Sequence, residues 1–404
     1  MSHFTDAATR LCEAVRMLRH LATNLPEPIR IGFLGAGDDQ RIIAGPGVAA
    51  TQKAVSLAFE RLGVRHLEYS HDAITRLSSF ELFISRKISA ALGFNYESFG
   101  VVEPDQAQQA LIQDFDFSPP LPGIARSSLI TRDGVLLNTY ASADRQLPPI
   151  VLALPCGLPF ELCRAWFQAL GERYFVMAWE TRGLFGACID FDRLEVDADA
   201  QVADLFAVMD HFGHDSAHLM GICGGAAIAL CAAASDSERV RSLSLWHGDY
   251  NLADDSLRTA HQRNFEWLME AAAADRNEAG DLQMLFVDQA TLVTTPEPIA
   301  HVALFPYTNA ELFYRYSKLN DALNKTDLNA LLKRIGVPVL VVAGDSDQTT
   351  HIGGSRHIAQ VIDGAQLHVE ENGSHLAFFE HAPSSRATAF RFMDRVVESE
   401  PALI

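Results

Sequence analysis

The residue best suited to covalent chemistry lies in one pentapeptide, Gly221-Ile222-Cys223-Gly224-Gly225. A short apolar run, Ala217 to Met220, precedes it, and an alanine-rich run, Ala226 to Ala233, follows. The pattern predicts a buried strand, a tight G-x-C-x-G turn and a helix. The glycines two residues either side of Cys223 have a steric reason. A nucleophile on such a turn holds strained backbone, and side chains there would strike the neighbouring strand and helix. A thiol at a helix N-terminus feels the positive end of the dipole, which favours the thiolate. The N–H of Gly224 would point where an oxyanion forms. The same residues also suit a glycine-rich turn around a buried structural cysteine. The pentapeptide alone leaves both readings open.

Other groups that could do chemistry are fewer. His247 and Asp249 follow an apolar strand, at a rim where pockets form. They are pocket candidates, with a solvated loop pair as the expectation. His211, His214 and His218 lie close in sequence, but Gly213 and the strand that follows keep them off one helical face. H-E-x-x-H occurs nowhere, so no metal is expected. Gly35-Ala36-Gly37 follows a strand, yet the third glycine of a dinucleotide fingerprint falls at Gln40, and an extra turn at Gly45-Pro46-Gly47 intervenes. Structural use is expected there, and no cofactor.

The elements that must position these residues change character along the chain. Residues 5 to 24 predict an amphipathic helix ended by Pro26 and Pro28. A strand from Ile29, a helix over 49 to 62 and a strand over 64 to 69 form a βαβ-like unit, and residues 73 to 93 read as a helix. Prolines at 104, 119, 120 and 122 mark 103 to 123 as a linker. The expected organisation is therefore an N-terminal α/β extension, residues 1–123, and a main domain, residues 124–404. The main domain opens with a hairpin turning at Asp133-Gly134, then alternates strands and helices. That alternation implies a doubly wound, mostly parallel sheet. Residues 250–326 interrupt it with helical, aromatic-rich sequence and read as an inserted lid.

Composition bounds the rest. With 32 basic residues against 51 acidic, a net charge of −19 argues against nucleic acid and against docking on a strongly basic patch. No apolar run is long enough to span a membrane, and no signal peptide is expected, because Met1 to Asp6 is polar. Six cysteines, among them Cys12, Cys163, Cys188 and Cys231, show no C-x-x-C pair, which suits reduced thiols in the cytoplasm.

From about residue 126 to 400 the chain resembles the α/β-hydrolase superfamily. Six motifs agree in order: the TRDG hairpin, Leu154-Pro-Cys-Gly-Leu-Pro159 at the oxyanion loop, Glu180-Thr-Arg-Gly183, HLMGICGG at the nucleophile elbow, VPVLVVAGDSDQTTH at the acid loop, and NGSHLAFFEHAP at the histidine loop. The resemblance implies Cys223 as nucleophile, His375 as base and Asp347 as the acid that orients it, with Asp345 as the competing acid. It implies oxyanion donors at the backbone N–H of Gly224 and of Leu158 or Gly157. Cys156 stands where the family carries a histidine, and reads as a small buried hydrophobe near the site. Glu180 replaces the family's aspartate and is expected to fix the turn at Arg182. His351 reads as a surface histidine. A cysteine nucleophile looks like dienelactone hydrolases or polyhydroxyalkanoate synthases, whose other motifs differ.

Cysteine narrows the chemistry. A thiolate attacks carbonyls near neutral pH with less help than a hydroxyl needs, and its intermediate is a thioester. Formation from another thioester is nearly thermoneutral, whereas formation from an amide is uphill. The expectation is an acyltransferase or thioesterase acting on a carrier- or coenzyme A-bound acyl thioester, in a specialised biosynthetic pathway. A cysteine-dependent hydrolase of a small ester or lactone is the alternative. A retired hydrolase fold serving as a binding protein is the third reading, opposed by the intact Cys/Asp/His order. The extension reads as a docking surface or a homo-oligomer arm.

Overall fold

The computed structural model describes residues 2–37, 42–43, 46–70, 77–186, 190–288, 295–380 and 382–399. Gln40, Gly45 and Cys188 fall outside them. The chain divides into two units. One is residues 1–120 with 281–310, and the other is residues 121–280 with 311–404. Residues 281–310 of the expected lid thus group with the N-terminal segment.

The first unit is built on helices. The expected helix over 5 to 24 is two, α1 (Ser2–Met17) and α2 (Arg19–Ala22). Strands β1 (Ile29–Ile31) and β2 (Leu67–Tyr69) pair in parallel across α3 (Pro46–Leu62), a small βαβ unit. Helix α4 (Ser79–Ala91) starts at a Ser78–Glu81 capping box. The expected linker contains a helix, α5 (Gln106–Asp114). Asp105 accepts from the Gln108 N–H while the Gln108 side chain accepts from the Asp105 N–H, and this reciprocal cap outweighs the surrounding prolines.

The second unit is organised by an eight-stranded sheet in the order β10-β9-β8-β7-β5-β6-β4-β3. Strands β3 (Ile124–Ile130) and β4 (Leu136–Ser142) form the antiparallel hairpin, and β4 also runs antiparallel to β6 (Phe175–Trp179). From β6 across β5 (Pro149–Ala153), β7 (Ala217–Ile222), β8 (Val240–Trp246), β9 (Val339–Gly344) and β10 (Gln366–Glu370), every pair is parallel. Strands β5, β6, β7 and β9 are buried at every position, which is why they read as unbroken apolar runs. Helices α6 (Arg164–Leu170), α7 (Ala198–Phe212) and α8 (Gly224–Ser235) connect the central strands. The chain leaves β5 for β6 on one side and returns to β7 on the other, so a crevice opens beyond the C-terminal ends of β5 and β7. Helix α9 (Ala260–Ala274) follows β8. Helices α10 (Arg276–Asp288), α11 (Glu297–Ala303) and α12 (Ala310–Asn324) follow in turn, then α13 (Ile352–Val361) and α14 (Pro383–Ser399). No helix among the described residues is long and apolar enough to cross a membrane.

Candidate active site

The C-terminal edge of the sheet collects the chemistry. Residues 156–158 follow β5, Cys223 follows β7, His247 follows β8, Asp347 follows β9 and His375 follows β10. Cys223 holds φ 51° and ψ −121°, a strained conformation for a residue with a Cβ. Its amide donates to the Trp246 carbonyl (3.0 Å), and its carbonyl accepts from Ala226 (3.0 Å), so β8 and α8 together impose the strain. The flanking glycines are sterically required. A methyl on Gly221 would stand 2.5 Å from the Gly225 carbonyl oxygen, and one on Gly225 only 2.2 Å from that of Ala153.

Asp347 is nearly sealed, with a side chain 2% exposed. One carboxylate oxygen accepts the Thr349 and Thr350 amides (2.8 and 2.9 Å). The other accepts the Thr350 hydroxyl (2.8 Å) and His375 Nδ1–H (3.0 Å). Burial opposes its ionisation, but His247 and His375 hold the carboxyl well below the usual range. Burial likewise opposes charge on His375. Cys223 and the Asp347 carboxylate bonded to the ring outweigh it and raise His375 to about 10. Asp345, the competing acid, instead accepts from the Ser346 hydroxyl (3.1 Å) on an exposed turn.

His247 corrects the expectation of a solvated pair. It is 1% exposed, with φ 44°. Its Nε2–H donates to Glu370 Oε2 (3.0 Å), and its Nδ1 lies 3.5 Å from Asp347 Oδ2, an ionic contact too long for a good hydrogen bond. Burial works against the imidazolium, and the two carboxylates raise its pKa past that penalty. Glu370 also takes the Ser385 hydroxyl. Sequence reasoning missed this because Glu370 is 123 residues away. The donor atoms of His247, Asp347 and His375 lie within 4.8 Å of one another. Both rings already pair with carboxylates, His375 with Asp347 and His247 with Glu370, and these carboxylates favour protons on the rings.

Asp249 sits beside the Cys223 backbone. Its amide approaches the Cys223 carbonyl (3.4 Å), and Gln262 Nε2–H donates to its Oδ1 (2.7 Å). Gly224 opens α8 with its N–H in the first turn. Of the other oxyanion candidates, Gly157 donates its amide to Thr181 Oγ1 (2.8 Å), and Leu158 closes a turn on the Pro155 carbonyl (3.1 Å). Cys156 is buried, against Gln201 (3.5 Å) and the Gly224 backbone.

Other candidates lie elsewhere. Glu180 does not hold Arg182; it takes Asn138 Nδ2–H (2.8 Å) and the Phe160 amide (3.2 Å), while Arg182 pairs with Asp204 (2.7 Å) and Asp133 (2.9 Å). The register that sets Thr139 against Trp179 brings Asn138 under Glu180. His351 caps α13 by accepting from the Gly353 amide (3.1 Å). His211 meets Ser127 (3.3 Å), His214 stacks near Phe175 (5.1 Å) and His218 meets Ser242 (2.8 Å), so these three do not converge.

Residues 167–382 match the family described as the alpha/beta hydrolase fold, which is more than half of the chain. The chain belongs to the α/β-hydrolase fold family. It is 27% identical over 179 residues to an L-allo-isoleucyltransferase of Pseudomonas savastanoi pv. glycinea, a match covering 44% of this chain and 62% of that protein's length. It is 23% identical over 258 residues to 3-oxoadipate enol-lactonase 2 of Acinetobacter baylyi, covering 62% of this chain and 90% of the relative. The enol-lactonase structure from Burkholderia xenovorans LB400 superposes with TM-score 0.55 at 19% identity, covering 66% of this chain and all of that one, a likeness of fold. With these relatives, the family match marks the chain as an enzyme of the hydrolase fold.

Proposed function

We propose that this enzyme transfers an acyl group from an acyl thioester, carrier-bound or coenzyme A-bound, through a thioester on Cys223. What supports the reading is one arrangement: His375 bonded to Asp347 and its pKa raised by Cys223, beside a strained elbow. The transferase relative points the same way, and its name is that of an aminoacyl group.

The steps follow from the charges. Cys223 Sγ attacks the thioester carbonyl carbon, and its electron pair forms the new C–S bond. The carbonyl oxygen becomes an oxyanion, facing the Gly224 N–H; the Gly157 and Leu158 amides are already bonded to Thr181 and Pro155. Collapse breaks the donor's C–S bond, and the leaving thiolate takes the proton from His375. Acylation also abolishes the negative charge on Cys223, which helps hold that proton. Burial then acts on His375 with less opposition, so the ring becomes a base just when the incoming nucleophile needs one. The acceptor gives its proton to His375, attacks the thioester and expels Cys223 as thiolate.

The second reading is hydrolysis of a small ester or lactone at the same cysteine, favoured by the enol-lactonase relative, 90% of which is covered. Intact-protein mass after brief exposure to a panel of acyl thioesters tests both, with Cys223→Ala as control. One acyl group added to the wild type and absent from the control is the expected result. Faster decay with an added thiol or amine than in water marks a transferase. No gain with any donor, together with failure of iodoacetamide to label Cys223, sinks the nucleophile.

A further inference from the structure

We propose that Asp249 is the binding point for the α-ammonium of an aminoacyl thioester, so that the acyl group loaded on Cys223 is an α-aminoacyl group. This deepens the acyl-transfer reading and rests on it.

Asp249 is a carboxylate with no cation among the described residues. Among the described residues, Asp249 makes no ion pair, and its one side-chain hydrogen bond comes from Gln262. The Gln262 amide cannot reverse, because its Oε1 accepts the Thr259 amide (3.0 Å) and the His351 amide (3.0 Å). Its Nε2–H is therefore committed to Asp249 Oδ1, and Oδ2 is left without a hydrogen bond among the described residues. Gln262 lies in the first turn of α9, and the Asp249 amide reaches the Cys223 carbonyl. The carboxylate is thus held between the nucleophile's loop and the helix that follows, and it is half-buried.

A half-buried carboxylate with no cation is costly, and a neutral fatty acyl, ester or lactone group brings nothing to offset that. A substrate cation does. His261, the titratable group on α9 facing Asp249, does not supply the charge: burial pushes it toward the neutral form, and His375 adds to that.

A second acceptor stands on the same loop. Tyr250 is 4% exposed, and its buried hydroxyl has no hydrogen-bond partner among the described residues. The hydroxyl is folded against Gly248, where a methyl would stand 2.1 Å from it. Burial first, and then Asp249 and Cys223, push the phenol up. An ammonium has three donors; Asp249 Oδ2 offers it a charged acceptor, and the unpartnered Tyr250 hydroxyl lies on the same loop.

Matched N-acetylcysteamine thioesters test this: alanyl against propanoyl, and L-isoleucyl against 3-methylpentanoyl. Each pair differs only in the α-amine. The readout is the ratio of Cys223 acylation rates within a pair, followed by intact mass. The wild type is expected to favour the amine-bearing member at least tenfold, the worth of a charge-assisted contact. Asp249→Asn keeps the shape and the acceptor for Gln262, and is expected to bring the ratio to within about twofold of one. Tyr250→Phe is expected to lower it less. A wild-type ratio near one, with both members loading Cys223, overturns the ammonium site and leaves acyl transfer standing. A large ratio that persists in Asp249→Asn overturns the assignment to Asp249. No loading from either member of any pair, with Cys223→Ala identical, overturns the acyl-transfer reading and this one with it.

Discussion

Two histidines of neighbouring strands are each 1% exposed and carry opposite charge preferences. His218 lies near the start of β7 and His247 just past the end of β8. His218 Nδ1 meets the Ser242 hydroxyl (2.8 Å), its Nε2 has no hydrogen-bond partner among the described residues, and burial, helped by Arg241, lowers it to about 4. His247 faces Asp347 and Glu370, and its pKa is raised. Burial is common to both, so it does not decide the outcome. What differs is the supply of carboxylates. They arrive at the C-terminal edge on the loop after β9 and at the last residue of β10, and none is bonded to His218. The opening of the sheet thus makes a neutral packing residue, and its end makes a charged relay.

Removing the carboxylate that both rings of the relay share should have the largest effect. Asp347→Asn leaves two amide contacts from the Thr349 and Thr350 turn available but turns an acceptor for His375 into an amide. The imidazolium then loses its counter-charge and its preferred tautomer. Because a thiolate leans less on its base than an alkoxide does, the expected loss in Cys223 deacylation is about 10²–10³-fold. Single-turnover mass kinetics checks it. A loss below tenfold would mean that the edge does not run on this carboxylate and that the contrast with His218 is only one of packing.

Much of this edge was legible in the sequence, and the reason is steric. Gly221 and Gly225 are where a side chain has no room, so the elbow is written locally. The alternation of apolar strands with helices likewise announced the parallel sheet. Local writing also existed for α5, since Asp105-x-x-Gln108 is a capping signal, but the prolines around it were given more weight. His247 had no such signal. Its charge state depends on Glu370, which arrives only when β10 docks on β9. Glu180 failed for a related reason, because its partner Asn138 comes through the register of β4 on β6, whereas Arg182 found Asp204 on α7. Groups whose partners come by sheet pairing are invisible to motif spacing.

The neutral histidine gives the next effect, on stability. The folded pKa of His218 is depressed from 6.5 to about 4, so below about pH 6.5 the unfolded chain binds a proton that the folded chain refuses. Stability is therefore lost as pH falls from 6.5 toward 4, by about 3 kcal/mol in full and about 2 kcal/mol by pH 5. His375 and His247, with raised values, behave oppositely: their contribution is complete below about 6.5 and is lost only as pH rises through the folded values, so they leave this window undisturbed. Urea unfolding at pH 7 and pH 5 should show the difference shrinking by about 2 kcal/mol in His218→Gln. An unchanged difference would place a proton on the native ring and erase the contrast.

The smallest effect belongs to His247 and separates positioning from scaffolding. His247 lies 3.5 Å from Asp347 Oδ2 and, when protonated, draws on the charge that also serves His375. In His247→Gln that competition ends, Asp347 acts on His375 alone, and the acyl-enzyme's His375 holds its proton to higher pH. Deacylation needs the neutral ring, so its rising pH limb should move up by about half to one unit, with a rate loss of about three- to tenfold at pH 7. The groups around the ring keep the test clean. Glu370 retains the Ser385 hydroxyl, and the two Thr amides and the Thr350 hydroxyl still hold Asp347 in place. A purely structural loss would lower the rate at every pH and leave the midpoint where it was. A midpoint moving to lower pH would mean that His247 is neutral, and the end of the sheet would then handle a buried histidine just as its opening does.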